Sequence, residues 1–176
     1  MKLQPSSDYV DKVQSKITSH MRAVLIDWLI EVSDEFKLVT ETLYLAIAYI
    51  DRFLSTHPIN NSDFQLLGVT CMCIAAKYEE IHPPHMERFS YITDHVCSVE
   101  DIADAEAEVL QGLDFRLASP TPKVRHSVQI RFPHFADLPS PFALCPTWTS
   151  RHTLHSAISR TLHLILQSPL PSRSHA

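Results

Sequence analysis

Through the first 117 residues, apolar side chains recur at helical spacing in blocks separated by polar or proline-containing breaks. After a polar lead, residues 1–19, with Pro5 and Asp8, a helix is predicted over about 20–36. Thr18 or Ser19 can cap it, because a hydroxyl there satisfies amide donors that the first turn leaves free. Val24, Trp28, Met21, Val32, Leu25 and Leu29 spread over one broad face of this helix, and Ala23, Ile26 and Ile30 lie on the opposite one. Arg22 sits on one seam, Asp27 and Glu31 on the other. A helix apolar on two sides buries one in its own bundle. The other is then a docking surface or is covered by another segment.

Thr40 precedes a second helix over about 41–55, whose run Leu43 to Ile50 is apolar or small on every side and is expected at the centre of the bundle. Asn60, Asn61 and Ser62 read as loop and cap for a third helix over about 63–80, ending before Pro83-Pro84. A short helix over about 85–91 follows. Ser98 with Asp101 forms a capping-box-like start to a last helix over about 99–113, and Pro120 and Pro122 stop the pattern. The expected fold is all-α, a five-helix bundle with no convincing strand.

Charge divides the chain at Pro122. Residues 1–122 carry 19 acidic and 9 basic side chains, whereas residues 123–176 carry one acid, Asp137, against 6 Lys and Arg. The second part also holds 6 of the 11 His, 6 Pro and 8 Ser, and its apolar residues keep no sustained period. It reads as an irregular, disordered tail in which Leu162 to Leu166 can add a short amphipathic helix. The uncharged stretch Leu66 to Ala76 falls short of the roughly 18 to 20 apolar residues that span a bilayer, so no membrane partner is expected. A secretory leader is not expected either. Cys71 and Cys73 are too close for a disulfide framework and Cys97 and Cys145 stand alone, which fits reduced thiols and no zinc site.

Four segments carry a resemblance. Met21-Arg-Ala-Val-Leu-Ile-Asp-Trp-Leu29, Tyr49-Ile-Asp-Arg-Phe-Leu54, Ala75-Ala-Lys-Tyr-Glu-Glu80 with Pro83-Pro84, and Tyr91-Ile-Thr-Asp94 resemble the signature segments of a cyclin box, in that family's order and spacing. Tyr-Ile-Thr-Asp is most similar to A-type cyclins, and the context Lys37 to Leu43 resembles plant ones. The resemblance implies three regions: the lead 1–19, a cyclin box over 20–117, and a divergent tail over 118–176. It also implies a regulatory subunit, not an enzyme, that needs no cofactor, binds and activates a cyclin-dependent protein kinase in cell-cycle control, and works in the nucleus and cytoplasm.

By the same resemblance, Lys77 and Glu106 hold the kinase, and Ile74, Tyr78, Leu110, Phe115 and Leu117 surround its αC helix. A surface ion pair alone is worth at most about 1 kcal/mol, so the flanking motifs carry that assignment. Met21, Val24, Leu25, Trp28 and Glu31, joined by Phe64 and Gln65, match a patch that docks Arg-x-Leu segments of substrates or inhibitors, with Glu31 accepting the arginine. On this reading Ala23, Ile26 and Ile30 supply the helix's interior face. Arg22, Asp27 and Leu66 complete the family positions in a structural role, Arg22 and Asp27 bridging the first helix to its neighbours.

Two rivals remain. A nucleic-acid-binding cyclin fold of the transcription-factor kind needs a basic face for phosphate, and the acidic helical part argues against it. A truncated, non-activating cyclin is the other. The family match stops after Lys123-Val124, where a second helical repeat is expected, and the abrupt change suggests an altered reading frame or retained intron. The helix that relatives place before the box is also expected to be missing. An enzyme is disfavoured, since neither a Gly-rich phosphate loop nor His-Glu-x-x-His is present.

Overall fold

The computed structural model describes residue 5 and residues 8–119. Six helices form there: α1 (Tyr9–Lys12), α2 (Ser19–Phe36), α3 (Thr40–Leu54), α4 (Asn61–Glu79), α5 (Met86–Ile92) and α6 (Val99–Gly112). No strand occurs among the described residues. The tail, with Cys145 and the Leu162 to Leu166 segment, lies outside them.

Local chemistry sets most helix ends. Thr18 Oγ1 accepts from the Met21 amide at 3.2 Å, so Thr18 rather than Ser19 caps α2. At its far end Lys37 turns left-handed, with φ 56°, and the chain folds back. Ser98 and Asp101 make a full capping box on α6, with amide-to-side-chain bonds of 3.0 and 3.1 Å. For α3 the cap is remote. Its N-cap residue, Val39, has no side-chain acceptor, and Glu80 accepts from the Val39 amide at 2.7 Å and the Thr42 hydroxyl at 2.6 Å.

The central helix is α4, not α3 as the apolar run Leu43 to Ile50 led us to expect. From Phe64 to Ala76 every α4 residue except Leu66 is buried, whereas Leu43, Tyr44 and Ala48 of α3 are only half-buried. Small residues explain the difference. Gly68, Cys71, Cys73, Ala75 and Ala76 let neighbours approach α4 from all sides, and it packs most extensively against α3 and then α6. A Cβ on Gly68 would lie 2.7 Å from Leu25 Cδ1, which marks where α2 crosses closely. A Cβ on Gly112 would meet the Phe53 ring at 2.7 Å.

Part of the supposed lead belongs to the fold. Tyr9, Gln14 and Ile17 are buried, although the sequence there reads as polar and a preceding helix was expected to be missing. Gln14 Nε2 donates to the carbonyls of Leu54 at 2.6 Å and His57 at 2.7 Å, and its Oε1 accepts from the Ile59 amide at 3.2 Å. The four-residue α1 is too short to stand alone. Its Tyr9 hydroxyl is anchored on Asp51 of α3 at 2.8 Å.

Candidate functional site: an ion pair set among apolar side chains

The last turn of α4 leaves the core just after Ala76, which puts Lys77, Tyr78 and Glu79 in solvent. Lys77 Nζ lies 2.7 Å from both Glu106 carboxylate oxygens, joining the end of α4 to the middle of α6. The side chains are 42% and 18% exposed, so the ammonium keeps donors on the open side. Tyr78, next to Lys77, is 49% exposed, and Phe115 beyond α6 is 66% exposed. Leu110, one turn after Glu106, and Leu117 are half-buried against the core. Ile74 differs from its expected role. At 2% exposure it faces inward, because the helix is still surrounded one turn before Lys77, so it backs the site without offering contact surface.

Two residues that sequence reasoning did not single out position this region. Arg52 of α3, almost fully buried, donates from Nη1 to the Arg116 carbonyl at 2.7 Å and reaches the Leu113 carbonyl at 3.5 Å. Desolvation lowers its pKa. Tyr49, also of α3, donates to the Leu117 carbonyl at 2.9 Å, and its phenol is pushed up, first by burial and then by the nearby Tyr78. The available signal was a charged pair, Asp51-Arg52, inside the otherwise apolar run Leu45 to Leu54.

On α2 the arrangement reverses the expected faces. Met21, Leu25, Trp28, Leu29 and Val32 point into the core, while Ala23 is exposed, Ile26 half-buried and Ile30 37% exposed. The face assigned to docking is therefore largely the interior one, since it is the face that meets Gly68 of α4. Phe64 and Gln65, in the first turns of α4, are buried as well. Only Val24 and Glu31 of that patch are half-buried and reachable. The Trp28 indole N–H has no acceptor among the described residues.

Arg22 bridges α2 to α3 through Asp51, with Nε to Oδ1 and Nη2 to Oδ2 both at 2.7 Å. The hydrogen bond to Asp51 pushes the guanidinium pKa up. Burial pushes the Tyr9 phenol up, helped by the Asp51 charge. Asp27 does not bridge, because it stands exposed on the outer side of α2. Leu66 is half-buried on α4 and packs against the core. The described cysteines, Cys71, Cys73 and Cys97, are free and buried, and burial pushes Cys73 and Cys97 up to about 11.

A helical bundle of this order, closed by a lysine–glutamate pair between its fourth and sixth helices, can be set beside known proteins. Residues 1–118 match the cyclin N-terminal domain, and the chain belongs to the cyclin family. Its relatives there include A-type cyclins of plants. It is 55% identical over 123 residues to Cyclin-A3-4 of Arabidopsis thaliana, covering 69% of this chain and 33% of that one. It is 52% identical over 120 residues to Cyclin-A3-2 of Oryza sativa subsp. japonica, covering 68% and 31%. The chain thus spans about a third of the length of the curated relatives it matches. A viral cyclin from herpesvirus saimiri shares the fold, with TM-score 0.59 at 19% identity over 61% of this chain and 47% of that one.

Proposed function

We propose that the described bundle binds a cyclin-dependent protein kinase and shifts it toward its active state. The observation that carries this is the Lys77–Glu106 pair, bonded through both carboxylate oxygens at the surface, with exposed Tyr78 next to Lys77 and Leu110 one turn after Glu106. Paired, the two groups hold each other in place while each keeps capacity for main-chain groups of a partner. The apolar side chains around them supply area to bury. A protein kinase works only when its β3 lysine meets the αC glutamate, so a partner that binds only the inward αC position favours that arrangement. Moving such an equilibrium from 1:99 to 99:1 takes about 5.5 kcal/mol of differential binding. A cluster of buried side chains with a few charge-assisted bonds supplies that amount.

The test is pull-down and activation of a purified cyclin-dependent kinase by this chain and by the double variant Lys77→Ala, Glu106→Ala. Binding and activation by the unaltered chain, both lost in the variant, support the reading. Binding without activation makes the chain a decoy, and no binding at all removes the reading. The family resemblance extends the proposal to a location in the nucleus and cytoplasm, which imaging of a fluorescent fusion checks.

A second role, docking of Arg-x-Leu segments on α2, draws support from Val24 and Glu31, the two members of the expected patch that stay reachable at the surface. Glu31, half-buried at the rim, suits the arginine. Titration with an Arg-x-Leu peptide, followed by tryptophan fluorescence, tests it; a signal unaffected by Glu31→Gln and Val24→Ala counts against docking there.

A further inference from the structure

The turn that closes α6 is held from outside the helix. Arg52 grips the carbonyls of Leu113 and Arg116, and the Tyr49 hydroxyl grips that of Leu117. Between these anchors Asp114 and Phe115 are both left-handed, with φ 53° and 55°. Asp114 tolerates that conformation as aspartate and asparagine do, but for Phe115, a bulky L-residue, it is strained. The outcome is that Phe115 is thrown out to 66% exposure while Leu117, two residues on, stays half-buried.

Helix termination alone does not account for this. The last turn of α6 carries no basic residue, and an exposed lysine there would answer the negative end of the helix at less desolvation cost. Instead the chain keeps a guanidinium at 3% exposure, hydrogen-bonded to carbonyls rather than to a carboxylate. The clamped turn is also bonded to the ion pair's helix: the Phe115 amide donates to the carbonyl of Leu110, one turn past Glu106, at 2.9 Å.

We propose that Tyr49 and Arg52 are positioning residues for kinase binding, fixing the 113–117 turn so that Phe115 and Leu117 stand at a set place beside Lys77 and Glu106. This rests on the kinase-binding reading above. The two residues touch no partner themselves. They lower the ordering cost that a loose turn would add at the moment of association.

Tyr49→Phe is the variant of choice, because it deletes one hydroxyl and leaves the ring in the core. Arg52→Lys, which keeps the cation but not the two-pronged grip, is the companion. Hydrogen exchange of the free chain is measured first. Amides of residues 113–118 are expected to exchange about tenfold faster in Tyr49→Phe, with α3 and α4 unchanged. Unchanged or uniformly faster exchange overturns the clamp.

Affinity for a purified cyclin-dependent kinase is measured next. Tyr49→Phe is expected to weaken it about five- to tenfold. Combined with Leu117→Ala it should weaken binding by clearly less than the product of the two single effects, whereas combined with Lys77→Ala the effects should multiply. Undiminished binding by Tyr49→Phe beside a binding wild type sinks the positioning role alone, as does simple multiplication with Leu117→Ala. Failure of the unaltered chain to bind removes the kinase reading, and the positioning role with it.

Discussion

Asp51 takes both arms of Arg22 on its two carboxylate oxygens, each at 2.7 Å, and the Tyr9 hydroxyl on one of them at 2.8 Å. One α3 carboxylate therefore fastens both α1 and α2. Removing its charge leaves a partly buried guanidinium uncompensated, with an amide N–H facing one of its arms, the costly way to break such a pair. Asp51→Asn is expected to lower unfolding free energy by about 3 kcal/mol and Tyr9→Phe by about 1 kcal/mol, read from urea denaturation.

Glu80 caps a helix 38 to 41 residues earlier in the chain. Glu80→Ala should behave like loss of a good N-cap, destabilising by about 1 kcal/mol. Hydrogen exchange should speed up in the first turn of α3 and leave α6 as it was. Equal change in both helices would argue against a local cap.

The two glycines test the packing directly. Gly68→Ala presses a methyl onto Leu25, whose side chain is fully buried, and Gly112→Ala presses one onto the Phe53 ring. Overpacking of this kind costs about 1–3 kcal/mol. Leu25→Ala in the Gly68→Ala background makes room, so the double variant should be more stable than the two single losses added together predict, in the same urea experiment.

The capping box gives a pH signature. Hydrogen bonds with Ser98 hold the Asp101 carboxyl below its ordinary value of 3.8. A lowered folded pKa means that its contribution is complete above that ordinary value and is lost as pH falls through the lower, folded one. The gap in thermal midpoint between wild type and Asp101→Ala should therefore be constant near neutrality and close in acid. A gap that widens in acid has the wrong sign.

For the thiols the direction is opposite. Burial keeps Cys73 and Cys97 protonated, with pKa values of about 11, so near neutral pH a thiol reagent should label neither until denaturant opens the bundle. Fast labelling of the native chain would show that the bundle around them is open.

What is legible in the sequence follows from which interactions are local. Five helices lie within one or two residues of their expected spans, because caps such as Thr18 and Ser98 act within one turn. Lys77 and Glu106 stand out through the motifs around them, and the structure does bring them together. The partner of Arg22 was not legible. Only the packing of α2 on α3 brings Asp51, 29 residues away, to the Arg22 guanidinium. The inward face of α2 was equally open, since both of its sides are apolar. That choice is made where Leu25 meets Gly68, on a helix that the local pattern of α2 says nothing about.

Gln14 also bears on the order of events during synthesis. Its partners lie 40 to 45 residues downstream, at Leu54, His57 and Ile59. At about 5–20 residues per second a ribosome needs roughly 2–9 s to supply them. Thr18 can cap α2 as soon as Met21 has emerged, but the segment before it waits, unpartnered, until the end of α3 is made. The segment translated before α2 is thus fastened after it, once the end of α3 exists.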